Sequence, residues 1–104
     1  MDEPGVVELP SGRRVRGRRL TSPAPSGTTP TLAVHLAGRC PPEPPWERDW
    51  IRWRDFWLPA DPDAAVRVLR RAHGRAHTDR VEVACSGSVG RTGTALAAMC
   101  VFEG

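Results

Sequence analysis

The sequence predicts an α/β domain with a central sheet and helices packed on it, and three segments support this fold class. Residues 31–36 read Thr-Leu-Ala-Val-His-Leu, an apolar run that is typical of a buried strand. A helix is predicted from Asp61, because Pro62 suits the first helical position and apolar residues then recur at helical spacing. A second strand over residues 81–84 leads into a glycine-rich turn and an apolar helix that ends at Phe102. Strands alternating with helices are the pattern of an α/β domain.

On the helix that begins at Asp61, the spacing places four apolar residues on the side that faces the core: Ala65, Val66, Leu69 and Ala72. The arginines at positions 67, 70 and 71 then fall on the opposite, solvent-facing side.

The N-terminal region, residues 1–30, is predicted to form an edge strand and a connection that precede the core. Residues 13–20 predict an edge strand, with Gly17 as a bulge or bend. Residues 21–30 are rich in Ser, Thr and Pro and predict a connection. The remaining residues, 31–104, are then the α/β core.

Composition favours a soluble globular protein that prefers anionic ligands. The chain has 104 residues, enough for one small domain, and its formal net charge is +3, which does not by itself demand nucleic acid. The densest basic cluster, residues 13–19, has no aromatic side chain for base stacking, since the nearest aromatic is Trp46. We therefore interpret the cluster as a solvated edge strand or tail, and we expect no nucleic-acid partner.

Cysteine usage and the lack of a leader predict a cytoplasmic protein. The three cysteines, at positions 40, 85 and 100, do not form an even disulfide framework, and Cys100 is predicted to lie in the core. No secretory leader and no apolar run of about 20 residues is present, so we expect no membrane association. His73 and His77 share a helical spacing used by metal sites, but no third ligand is evident, so neither a metal nor another cofactor is expected. A solvated last helical turn is the interpretation we favour for these histidines.

Residues 85–93, Cys-Ser-Gly-Ser-Val-Gly-Arg-Thr-Gly, are the segment of the chain that most strongly indicates chemistry. The glycines permit a tight turn whose N–H groups point inward, and the start of the next helix adds unpaired donors and the positive end of its dipole. This arrangement favours the thiolate form of Cys85, so we expect a nucleophilic sulfur. Arg91 adds a planar guanidinium that fits two oxygens of a phosphate.

At these residues the chain resembles the cysteine-dependent protein tyrosine phosphatases, whose signature is Cys, five residues, Arg, then Ser or Thr. The resemblance implies that Cys85 attacks phosphorus, that Arg91 holds the phosphate oxygens, and that Thr92 assists release of the sulfur. Ala84 stands where the family usually has histidine. The predicted phosphate-binding residues are Ser86, Gly87, Ser88, Val89, Gly90 and Arg91.

A second segment, residues 53–59, resembles the acid loop of the same family. It reads Trp-Arg-Asp-Phe-Trp-Leu-Pro, with Arg54 where the family has proline. The resemblance implies that Asp55 is the general acid that protonates the departing oxygen and later acts as base toward water. The alternative is that the aromatic residues of this segment are core side chains and Asp55 is a surface charge.

The same resemblance implies a mixed sheet flanked by helices, a core at residues 31–104 and a phosphate-binding loop at residues 85–92. Members of the family generally continue beyond the helix that follows this loop and carry a water-positioning glutamine there, whereas this chain has no glutamine. We therefore expect a fold that is incomplete at its C-terminus.

Three functions remain open at this point. The first is a protein phosphatase of tyrosine or dual-specificity type that hydrolyses phosphomonoesters of proteins or small molecules. The second is a phosphate-binding pseudophosphatase that cannot complete hydrolysis. The third is a sulfurtransferase or arsenate reductase, and the upstream Asp55 segment disfavours it. Low-molecular-weight phosphatases and related reductases usually have the cysteine near the N-terminus and the acid after it, which is the opposite order. An inert buried cysteine in a glycine-rich turn is the structural alternative to all three.

Overall fold

The computed structural model describes residues 6–19, 29–54, 59–85 and 90–103, which form five strands and two helices. In chain order the elements are β1 (Val6–Glu8), β2 (Arg14–Arg19), β3 (Leu32–Ala37), β4 (Glu47–Arg52), α1 (Pro62–Arg75), β5 (Val81–Cys85) and α2 (Gly90–Phe102). The predicted strands at 31–36 and 81–84 and the two predicted helices are confirmed, and each end that the sequence specified is correct to within two residues.

The strands form one sheet in the order β1-β2-β5-β3-β4. The β1–β2 pair is antiparallel, and the pairs β2–β5, β5–β3 and β3–β4 are parallel. The sheet is therefore mixed, and the fold is α/β. Strand β5 occupies the central position, so the carboxyl ends of four parallel strands meet along the edge at which β5 ends.

Both helices pack on the same face of this sheet. Every second residue of the central strands points to that face, and these side chains form one buried cluster with residues of α1 and α2, such as Leu69 and Met99. The cluster includes Val81, Val83 and Cys85 of β5. The opposite face carries polar residues of the same strands, such as His35 and Glu82.

Helix α1 begins as the sequence predicts. Asp61 is the N-cap and its Oδ1 accepts a hydrogen bond from the Ala64 N–H at 3.1 Å, while Pro62 takes the first helical position. Ala65, Leu69 and Ala72 are buried as expected. The prediction for Val66 is wrong, because this side chain is 43% exposed. Its position is one residue, or about 100°, around the helix from Ala65, which takes it beyond the contact with the sheet.

Strand β2 differs from its prediction in position and regularity. It is not an edge strand, because β1 pairs with one side of it and β5 with the other. Gly17 is not a bulge, since β2 pairs with β5 one residue to one without interruption and Gly17 lies opposite Val83. The edge strand on this side of the sheet is β1 instead.

Two arginines of β2 form ion pairs with a buried glutamate. Glu82 of β5 is fully buried and accepts hydrogen bonds from Arg16 Nε at 3.0 Å, from Arg16 Nη2, and from Arg18 Nε at 3.0 Å. We call these three residues the Arg–Glu–Arg cluster. The interpretation of residues 13–19 as a solvated strand or tail is therefore wrong for Arg16, of which 7% is exposed.

Strand β4 was not anticipated from the sequence. Three of its first four residues are charged, and only Ile51 is buried, so it lacks the apolar pattern that identifies strands. Two arginines of α1 hold it from the side of the helices. Arg71 bonds to Glu47 and Asp49, and Arg75 Nη1 bonds to Glu47 Oε1 at 2.7 Å.

A carboxylate near the end of the described chain joins three parts of the fold. Glu103 accepts hydrogen bonds from the Ser11 N–H at 2.8 Å and the Ser11 hydroxyl at 2.7 Å, and its Oε2 lies 2.7 Å from His73 Nε2. These contacts, the one with His73 first, lower the pKa of Glu103 to about 2. The prediction of a solvated last turn is thus wrong for His73, although His77 is exposed.

The buried face opposite the helices contains a histidine. His35 of β3 is 2% exposed, and its Nδ1 lies 3.5 Å from Arg48 Nη1. Burial first, and the charge of Arg48 second, lower the pKa of His35 to about 4, against the opposing effect of Glu82. His35 is therefore neutral in the folded protein at neutral pH.

This lowered pKa predicts a loss of stability in mild acid. Between pH 6.5 and about 4 the unfolded chain binds a proton at His35 that the folded chain does not, so the free energy of unfolding falls as pH falls. We expect a loss of about 2 kcal/mol between pH 7 and pH 5 from this residue, measured by urea denaturation. His35→Gln should remove this part of the pH dependence, and His77→Gln, at an exposed histidine, should retain it. If the free energy of unfolding changes equally with pH in the two variants, His35 is not the source of the pH dependence.

Candidate functional site

The carboxyl edge of the parallel strands brings together residues from three parts of the chain. Strand β5 ends at Cys85, β4 is followed directly by Trp53, and α2 begins at Gly90. Ligands of open α/β sheets bind at this edge, outside the carboxyl ends of the strands. The candidate site therefore lies at the centre of the edge where such folds place their ligands.

Cys85 and Thr92 are in direct contact. The Thr92 hydroxyl donates a hydrogen bond to Cys85 Sγ at 3.1 Å, and both side chains are buried. Thr92 reaches the sulfur because it lies in the first turn of α2, which begins five residues after β5 ends. A hydroxyl donor at this distance stabilises negative charge on sulfur.

Arg91 points into the protein. Its side chain is 5% exposed, and Nη1 donates a hydrogen bond to the Trp53 carbonyl oxygen at 2.9 Å. Cations are electrostatically unfavourable at a helix N-terminus, and the first turn of α2 contains no acidic residue. A buried arginine placed there is not explained by helix stability and is suited to an anion.

The segment after β4 is held against the end of β3. The Trp53 N–H donates to the Ala37 carbonyl at 3.0 Å, and Trp53 is 5% exposed within the core cluster. Arg54, which follows Trp53, lies close to Gly38. A Cβ at position 38 would be 3.0 Å from Arg54 Cγ, so the glycine permits this approach. The start of the predicted acid loop is thereby fixed beside Arg91.

Part of the predicted site falls outside the described residues. Gly90 is described and is the first residue of α2. The predicted general acid and most of the predicted phosphate-binding loop are not among the described residues; these are Asp55, Ser86, Gly87, Ser88 and Val89. Of the predicted catalytic residues, the structure therefore places Thr92 in contact with Cys85, and Arg91 in the same first turn of α2 as Thr92.

The contribution of the Trp53 backbone was missed by sequence reasoning. Trp53 was singled out as part of a motif, and its side chain is a core aromatic, as the alternative interpretation had it. Its carbonyl oxygen is what receives Arg91. A backbone carbonyl is present at every residue, so no sequence signal could have identified this one.

The other cysteines differ from Cys85 in their surroundings. Cys85 is 1% exposed, whereas Cys40 and Cys100 are exposed, so the prediction that Cys100 lies in the core is wrong. Helix α2 turns Cys100 away from the sheet because its neighbour Met99 takes the buried position. A reagent or substrate must therefore enter the site to reach the Cys85 sulfur. Cys40 and Cys100 are exposed, so substitutions at them are suitable controls for substitutions at Cys85.

Among the residues described, no group of three or more His, Cys, Asp or Glu is placed to hold a metal ion. In the same ranges, neither helix combines the length and apolar character needed to cross a bilayer.

Comparison of the chain with models of protein families, with curated proteins and with solved structures finds no match.

Proposed function

We propose that this chain is a cysteine-dependent phosphatase that hydrolyses phosphomonoesters, those of protein side chains included. The observation that carries the proposal is the contact of Thr92 with the buried Cys85 sulfur, at the central position of the carboxyl edge. Support also comes from Arg91, whose buried guanidinium lies in the same first turn of α2. A nucleophile at the end of β5 and, in the first turn of α2, a hydroxyl donor and a guanidinium are the groups that transfer of a phosphoryl group to sulfur requires.

In the first half-reaction, the Cys85 thiolate attacks phosphorus and forms an S–P bond. The bond from phosphorus to the ester oxygen breaks, and the leaving alcohol or phenol takes a proton from Asp55. Arg91 holds the nonbridging oxygens through paired N–H donors, which match two oxygens at once. A guanidinium has five N–H donors, so contact with phosphate and the bond to Trp53 use different ones.

In the second half-reaction, water attacks phosphorus, the S–P bond breaks and inorganic phosphate leaves. Asp55 accepts the proton of the attacking water. The Thr92 hydroxyl donates its hydrogen bond to the sulfur as negative charge returns to it, so Thr92 lowers the barrier to release.

The test of the proposal is detection of the covalent intermediate. The protein is mixed with an aryl phosphate, quenched in acid within one turnover and digested, and the peptide that contains Cys85 is analysed by mass spectrometry. We expect one added phosphoryl group on Cys85 that disappears as inorganic phosphate is released. Turnover without this species, or a phosphoryl group on another residue, contradicts the proposal. A stable phosphoryl group with no further release would instead identify a pseudophosphatase.

Replacement of Thr92 by valine tests the role of the hydroxyl. Thr92→Val keeps the shape of the side chain and removes the donor to Cys85, so kcat should fall by about 10-fold to 100-fold. Because sulfur release is the slowed step, the cysteinyl phosphate should accumulate. The matched control is Thr94→Val, since Thr94 is exposed and its hydroxyl bonds to the Gly90 carbonyl of the same helix. Equal loss of kcat in both variants would assign the effect to the helix and not to the sulfur.

A further inference from the structure

A cavity of about 450 Å³ lies at the edge of the sheet opposite to Cys85. Its walls come from the β1–β2 turn, the first residues of β2, residues 29–30, and the connection between α1 and β5. Val81, the first residue of β5, lines the cavity, whereas Cys85 is the last residue of that strand. Four residues of extended chain place the two sites roughly 13 Å apart. The cavity is therefore separate from the candidate active site.

The walls of the cavity carry an excess of positive charge. Of the described residues, four arginines line it, at positions 13, 14, 16 and 80, against one carboxylate, Asp79. Asp79 is already bonded to Arg75, whose Nε lies 2.7 Å from Asp79 Oδ2. Cations that line a concave surface concentrate anions within it, because field lines focus in a cavity with low-dielectric walls.

Two of these arginines are available to a ligand. Arg16 bonds to Glu82 within the Arg–Glu–Arg cluster, and Arg13 Nη1 lies 3.8 Å from Glu103 Oε2. Arg14 and Arg80 make no ion pair with any residue in the described parts of the chain. Glu8 lies opposite Arg14 in the β1–β2 ladder but is not within ion-pair distance. Among the described residues, Arg14 and Arg80 therefore contribute two positive charges without an ion-pair partner to one cavity.

The backbone around these arginines is fixed before any ligand binds. The Thr31 hydroxyl accepts from the Arg80 N–H at 3.1 Å, and the Arg80 carbonyl accepts from the Thr31 N–H at 2.9 Å. On the other wall, Ser11 is held by Glu103, and Gly12 adopts φ +92°, a value that favours glycine. A site whose walls are held in this way loses little conformational freedom on binding.

We propose that this cavity binds a small organic anion with two or more negative charges, of the class of phosphorylated metabolites. Arg14 and Arg80 pair with the charged group, and guanidinium forks suit phosphate oxygens. The rest of the ligand packs against Pro30, Ala76 and Val81, which supply the apolar part of the wall. The volume is within the range of small-molecule sites and exceeds what a free phosphate ion fills. This site does not depend on the proposed phosphatase activity.

The probe for the test is methylenediphosphonate, which has two phosphonate groups and no P–O–P bond that an enzyme could hydrolyse. Its binding to the full chain is measured by calorimetry at physiological salt and located by amide NMR shifts. We expect Arg14→Gln/Arg80→Gln to weaken binding by at least about 10-fold, because two charge-assisted contacts are lost. The matched control is Arg39→Gln/Arg67→Gln, which removes the same charge from exposed residues that do not line the cavity and should change affinity by less than about 2-fold.

The location of the NMR shifts separates this site from the candidate active site. Shifts at Ser11, Thr29 and Val81 that persist in Cys85→Ser support the proposal, whether or not the protein proves to be a phosphatase. Absence of binding, equal weakening in the two double variants, or shifts confined to residues 90–92 would overturn it. Failure of aryl phosphate turnover, in contrast, leaves the expected binding unchanged.

Discussion

Replacement of Cys85 by serine is expected to lower the rate of aryl phosphate hydrolysis by about 10⁴-fold or more, the largest effect of any single change in the site. The serine hydroxyl is a far weaker nucleophile than a thiolate, and loss of a covalent nucleophile typically costs several orders of magnitude in kcat. The serine side chain is close to cysteine in size, so it can still accept the hydrogen bond from Thr92. Steady-state release of inorganic phosphate is the measurement.

The matched control for this variant is Cys100→Ser. Cys100 lies on α2 like Thr92 but is exposed, so its replacement should leave the rate within about 2-fold of the original, as for surface substitutions in general. Substrate binding should persist in Cys85→Ser, because Arg91 remains in place. A rate that is equal in Cys85→Ser and in the unchanged protein would exclude the proposed function.

Replacement of Glu82 by glutamine is expected to reduce the free energy of unfolding by about 3 to 5 kcal/mol. Glu82 is fully buried and accepts from two arginines whose side chains are 8% and 12% exposed. Removal of its charge leaves two guanidinium ions in a low-dielectric layer without that carboxylate, and the loss of one partner of a buried ion pair is costly. Since domains of this size are marginally stable, the loss is a large fraction of the total. Urea denaturation at neutral pH measures it.

Two further variants decide whether the charge itself is responsible. Glu47→Gln removes a carboxylate that also bonds two arginines but is 46% exposed, and its effect should be much smaller because solvent screens such pairs. Arg16→Met/Arg18→Met/Glu82→Leu removes all three charges together and should recover most of the lost stability. A triple variant as unstable as Glu82→Gln would show that packing, and not the uncompensated charge, causes the loss.

The sequence predicted those elements whose signals are local. Helix α1 was predicted because an aspartate cap and a proline at the first position specify a helix start. Strand β3 was predicted because residues buried on both faces of a sheet form a largely apolar run. Strand β5 was predicted because its apolar residues alternate at the spacing of a strand. Strand β4 was missed, since its position is determined by hydrogen bonds to β3 and by arginines of α1, which lie elsewhere in the chain.

The location of β2 shows that contacts between residues far apart in the chain could not be predicted from the sequence. An arginine-rich strand resembles an edge strand, because the sequence does not reveal that Glu82, 66 residues beyond Arg16, accepts its charge. For the site, the spacing of residues 85–92 predicted that Cys85, Arg91 and Thr92 belong together, and the structure places Cys85 at the end of β5 and the other two in the first turn of α2. The bond from Arg91 to Trp53 spans 38 residues and depends on the tertiary fold.

The Arg–Glu–Arg cluster also controls how β5 can align with its neighbours. A slip of β5 by one residue against β2 and β3 would exchange its two faces and turn the Glu82 carboxylate into the apolar layer beneath the helices, away from both guanidinium groups. Such a misaligned strand would combine a desolvated charge with the loss of two ion pairs. The buried salt bridges therefore fix the register of β5 relative to β2 and β3. That register determines where Cys85, the last residue of β5, lies along the carboxyl edge of the sheet.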